Sequence, residues 1–470
     1  MPNVQSDLTL RNGLLVTPRG TIRGGLAAKG GVITHVGADE TLPAGATDLD
    51  VGGKVIFPGL IDPHAHMGVG EGWGPEKMQR DFATESRDAA SGGVTTMITT
   101  SLLGRDSRVE VVEGGIKWGN THSHIDFRLT AVVTLREHMR EIAEVAKLGV
   151  RSFKLFLGYR GEQALGFGME AEGIPWDFFY QACEALGEAG AKVFPTVHAE
   201  DPFVRDYLVE RWRGKNKNGL LQTWLEACPN ILEPMQIYPA ALIAHEVGVP
   251  VYIVHTSAWQ SVDLLADLKD RGFDIYGETL GSFLYWTADE ADAKDKGTYG
   301  KVQPPIRLNR DREALWKGVR NGTISSVGTD CMMYSAESRH VDFWDAQVGL
   351  GPLMGTLLPS LYTCGVLRGR CTLEDLARVL AESNARRFDL YPTKGVLQPG
   401  SDADIVVLDT ETARVVRAEE RESAGGYTLY EGESLRGWPE QVYVRGNLVF
   451  EGGRIVQEQP VGRHVPPVGG

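Results

Sequence analysis

Histidines and a carboxylate that end apolar runs are the residues of this chain best placed to do chemistry. His64 and His66 follow the run VIFPGLIDP, and side chains two apart in an extended segment point the same way. His198 and His255 end the runs KVFPTVH and VPVYIVH, and Asp330 ends ISSVGTD. Nitrogen and oxygen ligands without thiolates suit zinc, and also manganese, iron or cobalt. The pattern predicts a metal centre, although Asp330 alone is equally a proton acceptor or a helix cap.

Lys154 is anomalous because it lies inside the strand-like segment RSFKLFLGY. In strand alternation it shares a face with Ser152 and Phe156, where a buried ammonium is costly unless its pKa falls or it is modified. The alternative is a lysine that reaches out to solvent at the strand end. A neutral lysine is a nucleophile, and it can be converted into an anionic ligand.

A second histidine pair, His122 and His124, has the same spacing as the first. It precedes its predicted strand, residues 125–133, and therefore lies at the end of the strand away from the expected active face. We interpret this pair as structural.

The elements that must position these residues alternate between short apolar runs and segments of helical period. Residues 94–100 and 150–157 are strand-like, whereas residues 137–147 and 238–246 have helical spacing. Such alternation indicates repeated βα units, and no GxGxxG or P-loop follows the strands. Chemistry at the carboxyl ends of many strands is typical of a TIM-like (β/α)8 barrel. The predicted fold class is therefore α/β.

Both ends of the chain have a different texture, with short alternating strands between glycines. We predict that the N- and C-terminal segments, residues 1–56 and 395–470, form one flanking β-sandwich. Residues 57–394 then form the catalytic barrel. The 57 glycines fit the many tight turns that this architecture requires.

Composition excludes several classes of function. The 470-residue chain has a net charge of −14, which argues against a nucleic-acid partner. No apolar run reaches the ~20 residues of a membrane span, and residues 1–10 do not resemble a signal peptide. The 5 cysteines form no CxxC pair. We expect a protein without disulfides in a reducing compartment, most simply the cytoplasm.

Several motifs together resemble the cyclic amidohydrolases of the amidohydrolase superfamily, of the dihydropyrimidinase and hydantoinase type. The resemblance runs from GKVIFPGLIDPHAH through AASGGVTTMITT, FKLFLGYRG, VHAED, IVHTS, GETL and VQPPIR to ARRFDLYPTKGVLQPGSDADIVVLD, and so covers nearly the whole chain. It implies an enzyme that opens the amide bond of a cyclic diamide or ureide with a hydroxide bridging two divalent metals, usually Zn²⁺.

The resemblance also assigns residues. It implies that His64, His66 and Asp330 hold one metal and that His198 and His255 hold the other. Lys154, carboxylated on its amine, would bridge the two. Asp330 would also transfer the proton, and Tyr159 in GYRG would stabilise the oxyanion. The alternative for Tyr159 is a tyrosine of the core.

Substrate choice is narrowed by departures from the family pattern. Dihydroorotases and allantoinases typically carry an arginine two residues after HxH, whereas here Met67 and Gly68 follow. Resemblance nominates the backbone of Gln303 for substrate binding, and it places Gly349 where dihydropyrimidinases have an asparagine. The unusually long segment 161–180 is a candidate lid. The preferred substrate is a dihydropyrimidine or a 5-substituted hydantoin.

Other functions stay open at this stage. One is an allantoinase or another cyclic imide or lactam hydrolase. A more distant one is a non-catalytic scaffold of the kind found among dihydropyrimidinase relatives that have lost metal ligands, but this chain keeps every ligand position. Relatives are commonly tetramers, so the resemblance also implies a homo-oligomer.

Overall fold

Two nine-stranded sheets organise the chain, and one of them carries all the candidate metal ligands. The structure is a computed structural model that describes residues 5–216 and 218–468. The strands are β1 (Ser6–Thr17), β2 (Gly20–Lys29), β3 (Val32–Gly37), β4 (Gly45–Asp50), β5 (Val55–Pro58), β6 (Leu60–His66), β7 (Val94–Thr100), β8 (Asp126–Val132), β9 (Ser152–Phe156), β10 (Phe194–His198), β11 (Val251–Ile253), β12 (Ile275–Leu280), β13 (Ile324–Gly328), β14 (Cys331–Met332), β15 (Ile405–Asp409), β16 (Arg414–Val415), β17 (Ser434–Leu435), β18 (Trp438–Val444), β19 (Asn447–Glu451) and β20 (Arg454–Ile455).

Helices follow most strands of the second sheet, as the alternating pattern predicts. They are α1 (Pro75–Ser91), α2 (Arg108–His122), α3 (Ile142–Lys147), α4 (Gly161–Gly166), α5 (Trp176–Ala189), α6 (Pro202–Lys215), α7 (Leu221–Ala227), α8 (Leu232–Val247), α9 (Trp259–Asp270), α10 (Gly281–Tyr285), α11 (Ala288–Asp292), α12 (Asn309–Asn321), α13 (Ala336–Arg339), α14 (Leu357–Leu361), α15 (Leu373–Ala377) and α16 (Ser383–Arg387). The chain also contains short 3₁₀ turns, at Asp39–Thr41, Arg136–Glu141, Gly297–Gly300, Met354–Thr356 and Ala418–Glu420, and two π-helical stretches, at Tyr362–Val366 and Arg378–Glu382.

Strands β6 to β13 pair in sequence order, and every pair is parallel. The ring closes because the chain continues from β13 through Thr329 and Asp330 into β14, which pairs with β6. Every residue of β7, β8 and β9 is buried, as in a parallel sheet covered on both faces, although these strands also carry polar residues such as Thr96, Arg128 and Lys154. The predicted (β/α)8 barrel is confirmed.

The other sheet is built from both ends of the chain. Its order is β20-β19-β18-β15-β5-β1-β2-β3, with β4 paired to β1. It curls until Val32 on β3 bridges Asp402, just ahead of β15, and Leu10, Leu26, Ile56 and Ile405 pack inside the curl. Strand β5 lies between β1 and β15, so it joins the two chain ends directly before the barrel begins.

All five cysteines are buried and unpaired. Within residues 5–216 and 218–468, none of the helices combines the length and the apolarity that crossing a bilayer would require.

Candidate metal centre

Six predicted residues meet at the carboxyl end of the barrel. His64 and His66 end β6, Lys154 lies in β9, His198 ends β10, His255 follows β11, and Asp330 lies between β13 and β14. All six are at least nine-tenths buried. Parallel strands of a closed barrel bring their carboxyl ends to one face, which is why residues far apart in sequence converge here.

The first group of candidate ligands is compact. His66 Nε2 lies 2.9 Å and His64 Nε2 lies 3.3 Å from Asp330 Oδ1, and the two ring nitrogens are 3.1 Å apart. Ligand atoms of these three residues all lie within 4.8 Å of one another. This spacing and chemistry fit one divalent cation.

The remaining candidates surround this group. Lys154 Nζ lies 3.2 Å from His64 Nε2. The ring of His255 lies 5.6 Å from that of His64 and 4.5 Å from that of His198, measured between centroids. The structure therefore brings together every residue that the sequence nominated as a metal ligand.

Two of the six adopt backbone conformations that side chains usually avoid. The φ angles are +40° at His255 and +51° at Asp330, both in the left-handed region. Residues other than glycine hold such angles only where surrounding contacts enforce them, and these cases cluster at functional sites. Asp330 is fixed in part by its N–H, which donates to the His64 carbonyl at 2.9 Å.

In three of the histidines, one ring nitrogen contacts a polar side chain of the protein. Nδ1 of His64 lies 2.9 Å from Glu278 Oε1, and Nδ1 of His66 lies 3.0 Å from Thr100 Oγ1. For His198 it is Nε2 that meets Glu200, at 3.0 Å. Such partners fix ring orientation, which leaves Nε2 of His64 and His66 and Nδ1 of His198 for a metal.

These partners were missed by sequence reasoning, although a signal exists. Glu278 lies inside the apolar strand β12, where a lone carboxylate is as anomalous as Lys154 is in β9. Glu200 follows His198 by two residues and has no exposed surface. A carboxylate within or directly after an apolar strand of a predicted barrel is thus a candidate to support a ligand.

Burial sets the protonation of the site. It lowers the pKa of His66 to about 4, and it lowers the pKa values of His198 and His255 well below that of a free histidine. These rings are therefore neutral, as metal ligands must be. Burial also lowers the pKa of Lys154 to about 8, so roughly one tenth of its amine is neutral at pH 7.

The pKa of Asp330 is lowered, because the effect of nearby histidines outweighs that of burial. Desolvation alone would raise the pKa of this carboxyl, whereas His64, His66 and His255 together hold it below its usual range. Asp330 is therefore ionised and can accept a proton or bind a cation.

Five of the six residues, all except His64, border a cavity of about 470 Å³. Tyr159, Gln303 and Gly349, the other predicted site residues, line it as well. Its wall is rich in apolar and aromatic side chains, namely Val69, Trp73, Leu103, Phe156, Phe167, Met332, Tyr334 and Val348. A small cyclic molecule fits this volume and character.

Tyr159 lies beside the predicted ligands. Its ring centroid is 4.7 Å from that of His198, and burial raises the pKa of its hydroxyl, so it remains a proton donor. Arg205 holds the turn before it, because its guanidinium donates to the Gly158 carbonyl and, at 2.9 Å, to Gln163 Oε1. Gly158 itself must lack a side chain, since a Cβ would come within 2.4 Å of the His198 ring.

Gly349 contributes shape more than hydrogen bonds. Its N–H donates to the Lys301 carbonyl at 3.0 Å, and its carbonyl accepts from Arg339. Its φ is +142°, and a Cβ would lie 3.0 Å from Met332 Sδ. A side chain here would be strained and would narrow the cavity.

Two other groups of residues have ligand-type side chains. His122 is the last residue of α2 and His124 precedes β8, at the amino end of that strand, where sequence reasoning placed them. Asp126, Asp402 and Asp404 also bring ligand atoms within 4.8 Å of one another. That cluster already surrounds the ammonium of Lys394, which lies 2.9 Å from Asp402 and 2.7 Å from Asp404, and Arg445 pairs with Asp126, so cations of the chain itself offset most of its charge.

Known proteins similar to this chain share its whole length. Residues 242–449 match the Amidohydrolase family. A D-hydantoinase of Rhizobium radiobacter is 31% identical over 461 residues, which cover 96% of each chain. An allantoinase of Rubrobacter xylanophilus is 30% identical over 478 residues, which cover 98% of each.

A solved structure agrees with these relatives. The L-hydantoinase (dihydropyrimidinase) from Arthrobacter aurescens superimposes with a TM-score of 0.89 at 27% identity, covering 98% of this chain and 100% of that one. The family implies a bound divalent metal, and the cluster of His64, His66 and Asp330 has the donors for it. The chain therefore belongs to the amidohydrolase family and is a cyclic amidohydrolase of the hydantoinase and dihydropyrimidinase type.

Proposed function

We propose that this enzyme hydrolyses a dihydropyrimidine or a 5-substituted hydantoin, opening the ring at one amide bond with water. The observation that carries the proposal is the convergence of His66, Lys154, His198, His255 and Asp330 on one cavity of about 470 Å³, while His64 contacts Lys154 and Asp330. Relatives named hydantoinases, which span nearly the whole chain, support the substrate class.

We assign two divalent metals, Zn²⁺ by preference, to this site. His64, His66 and Asp330 would hold one, His198 and His255 would hold the other, and carboxylated Lys154 would serve as a ligand to both. The lowered pKa of Lys154 supports carboxylation, because only the neutral amine reacts with carbon dioxide. When bound, such ions lower the pKa of a water molecule and polarise the amide carbonyl.

The protein's own groups then move the proton and stabilise charge. Asp330, kept ionised by the surrounding histidines, accepts a proton from the attacking water and returns it to the leaving ring nitrogen. The hydroxyl of Tyr159, which burial keeps protonated, donates a hydrogen bond to the oxyanion that develops on the carbonyl. Burial of both groups excludes bulk water, which strengthens these interactions.

Substrate contacts are assigned to three features of the cavity. Gln303 offers its backbone to the ring, and Gly349 leaves room beside it. The aromatic and aliphatic wall suits a substituent at the 5-position, and the segment of residues 161–180 covers it as a lid. Phe167 supports this role, because it packs on Tyr159 with ring centroids 4.9 Å apart. Met67 and Gly68, in place of an arginine, disfavour dihydroorotate.

Allantoin is the second candidate substrate. The allantoinase from Rubrobacter xylanophilus supports it through 30% identity over the whole chain. The missing arginine after His66 and the apolar wall of the cavity argue for the hydantoin class instead. A non-catalytic scaffold role is disfavoured because every residue proposed to bind metal is present.

We further propose a cytoplasmic homotetramer. Five buried, unpaired cysteines support a reducing compartment. We also propose residues 1–56 with 395–470 as one domain and residues 57–394 as the catalytic domain. The pairing of β5 with β1 and β15 supports this division and extends the first segment to Pro58.

Lys154→Ala provides the decisive test of the metal centre. We expect loss of bound metal and a fall in hydrolysis on the order of 1,000-fold, since the bridging ligand is removed. Metal content by mass spectrometry, ¹³C NMR of the carbamate after labelling with ¹³C-bicarbonate, and rates on dihydrouracil, 5-substituted hydantoins, allantoin and dihydroorotate would be measured.

Lys269→Ala is the matched control. Burial lowers the pKa of Lys269 to about 8 as well, but its ammonium donates to the carbonyls of Gly322 and Thr323, away from the cavity. We expect it to keep its metal and activity. Unchanged metal content and hydrolysis in Lys154→Ala would refute the dinuclear assignment, and a preference for dihydroorotate would refute the substrate class.

A further inference from the structure

Lys301 is a buried lysine that lies close to the proposed substrate site. It precedes Gln303 by two residues and is only 3% exposed. Its ammonium donates to three backbone carbonyls, those of Phe343 at 2.7 Å, Trp344 at 3.2 Å and Ala346 at 2.7 Å. A protonated lysine has three N–H donors, so these three acceptors can satisfy all of them.

The three carbonyls belong to one loop of the cavity wall. We define residues 343–349 as the cavity loop, because its last three residues, Gln347, Val348 and Gly349, line the cavity. The loop consists of turns and bends, without a helix or a strand. Backbone carbonyls in such a segment need partners from elsewhere, and Lys301 supplies them for three residues.

The backbone of Lys301 holds the other end of the same loop. Its carbonyl accepts the N–H of Gly349 at 3.0 Å. The next residue, Val302, is fixed as well, because its carbonyl accepts the indole N–H of Trp224 at 2.8 Å. Lys301 therefore fixes the cavity loop relative to Gln303, the residue proposed to offer its backbone to the substrate ring.

Aromatic rings surround the ammonium of Lys301. The ring centroids of Trp224 and Phe343 each lie 5.1 Å from its Nζ. The ring of Trp344 packs on both, at centroid distances of 6.1 Å and 5.7 Å. A cation over an aromatic face is stabilised electrostatically, and hydrogen bonds are stronger where water is excluded. The cavity loop is thus held by a buried charge and not only by backbone contacts.

A second buried cation holds the end of the cavity loop. Arg339 is 1% exposed, and its guanidinium donates to the carbonyl of Gln347 at 2.6 Å and to that of Gly349. The guanidinium also lies over the ring of Tyr334, 4.4 Å from its centroid. The side chains of Lys301 and Arg339 therefore hold opposite ends of the loop.

We propose that Lys301 is a positioning residue for the substrate, because its ammonium holds the cavity loop so that residues 347–349 contact the substrate ring beside Gln303. Lys301 does not itself line the cavity, so it acts on the substrate only through the loop. This role rests on the proposed function, since it requires that the cavity binds a cyclic substrate. It concerns binding of the ring and not the chemistry at the metals.

The first experiment removes the ammonium. Lys301→Met keeps most of the apolar stem but leaves three buried carbonyls without their donor. We expect KM for 5-substituted hydantoins and dihydrouracil to rise about 10-fold while kcat changes less than about two-fold, since ground-state and transition-state binding are weakened alike. Metal content should equal that of the wild type. Lys301→Gln, whose amide still donates hydrogen bonds, should give an intermediate KM.

Lys296→Met is the matched control. Lys296 is also a buried lysine, and its ammonium lies 5.6 Å from the ring centroid of Trp286. It donates to the carbonyl of Glu431, which lies between β16 and β17 and not in the cavity loop. We expect this variant to keep the wild-type KM and kcat. Circular dichroism would verify that each variant is folded.

Hydrogen–deuterium exchange provides a measurement that needs no substrate. In Lys301→Met, peptides that cover the cavity loop should exchange faster than in the wild type. Peptides that cover β6 and β10, which carry proposed metal ligands, should exchange as in the wild type. This measurement reports the anchoring of the loop by itself.

The charge of Lys301 can also be removed by raising the pH. Burial lowers its pKa to about 8. Of the charged groups that face it, Asp345 raises this pKa whereas Arg339 and Arg213 lower it, and the nearby thiol of Cys228 stays protonated because burial raises its own pKa. The ammonium becomes an amine above pH 8, so the ratio of KM in Lys301→Met to KM in the wild type should decrease between pH 7 and pH 9.5. Groups that titrate in both proteins cancel in this ratio.

The outcomes separate this role from the proposed function. If the wild type hydrolyses hydantoins and Lys301→Met has the same KM, the positioning role is wrong. Loss of metal, or a fall in kcat at constant KM, would also overturn it, and a KM ratio that is independent of pH would contradict the role of the charge. A wild type that hydrolyses none of the proposed substrates would refute the proposed function, whereas faster exchange of the cavity loop in Lys301→Met would still support its anchoring by Lys301.

Discussion

Glu278 illustrates how one buried carboxylate can organise several residues of the metal centre. Its Oε1 lies 2.9 Å from His64 Nδ1 and accepts the His255 N–H at 3.1 Å, while its Oε2 accepts the Tyr252 hydroxyl at 2.8 Å. It therefore orients a residue proposed for one metal and fixes the backbone of a residue proposed for the other. It is a positioning residue for both.

Glu278→Gln should weaken metal binding while leaving the fold intact. The amide keeps the size of the carboxylate but loses its charge, and loss of such a partner typically costs 10–100-fold in metal affinity. We expect chelator to strip the variant at correspondingly lower concentration, with activity partly restored by excess metal. Metal content after graded chelation, together with hydrolysis rates, would measure this.

Glu226→Gln serves as the control, because Glu226 is exposed on α7. Wild-type metal affinity in Glu278→Gln would contradict the positioning role, even if activity fell.

The candidate ligands could be predicted from the sequence because most of them lie at the ends of strands. The six candidate ligands were found because each ends or interrupts an apolar run, and a barrel brings those positions to one face. Glu278 and Glu200 were missed because their role as supports depends on which histidine ring nitrogen each carboxylate contacts, and only the structure shows this. Gly349 was nominated from the resemblance to dihydropyrimidinases, but the partners of its backbone become visible only in three dimensions.

Helix α1 carries buried acidic residues, which the hydrophobic pattern of the sequence does not predict. Its buried side carries Asp81, Glu85 and Asp88 among apolar residues. Asp81 pairs with Lys77 at 2.8 Å, and Asp88 pairs with Arg421 at 2.7 Å. Glu85 has no exposed surface. Its pKa is raised to about 8, mainly by burial and to a smaller extent by repulsion from Asp88.

The contribution of Glu85 to the free energy of unfolding should decrease as pH rises, because its pKa is higher in the folded protein than in the unfolded chain. The folded protein holds a proton on Glu85 up to about pH 8, whereas the unfolded chain releases it near the ordinary value of 4.5. The folded state therefore binds more protons between these limits, and this group's contribution to stability declines by up to ~1.4 kcal/mol per pH unit. Glu85→Gln removes that dependence.

The difference in unfolding free energy between Glu85→Gln and wild type would be measured in urea at pH 5.5, 7.0 and 8.5. We expect it to shift steadily in favour of the variant as pH rises. Glu113→Gln, at an exposed position on α2, should show a constant difference. A pH-independent difference for Glu85→Gln would contradict burial of the neutral acid.

Element boundaries were predicted well where periodicity was undisturbed. Strand β7 has the predicted bounds, residues 94–100. The predicted helix over residues 137–147 begins instead as a 3₁₀ turn, Arg136–Glu141, where buried His138 accepts the N–H groups of Thr134 and Leu135 through Nδ1. The helix predicted over residues 238–246 starts six residues earlier, because Pro239 in its interior conceals the first turns.

Lys394 joins the two sheets of the molecule. Its ammonium has no exposed surface and contacts Asp126 at the start of β8, Asp402, and Asp404 ahead of β15. Asp126 belongs to the barrel, whereas Asp404 precedes a strand of the terminal sheet. Burial opposes the charge of Lys394, but the three carboxylates outweigh it and raise its pKa above the ordinary value.

Lys394→Met should be strongly destabilising. Removal of the cation leaves three buried carboxylates facing one another, and breaking a buried ion pair costs about 3–5 kcal/mol. Urea unfolding at pH 7 would measure the loss. Arg463→Met is the control, because Arg463 is 54% exposed and lies 3.9 Å from Asp402, so we expect a change within ~0.5 kcal/mol. Equal stability of Lys394→Met and wild type would show that the cluster does not hold the sheets together.

The position of β5 between β1 and β15 has a consequence for synthesis on the ribosome. Strand β5 can pair with β1 almost at once, but its other neighbour begins at Ile405 and is made only after the whole barrel. Until then β5 presents an open strand edge, which is prone to pair with other chains. The nascent protein thus carries an aggregation-prone edge through most of its translation, and chaperone demand should be greatest just before the last strands emerge.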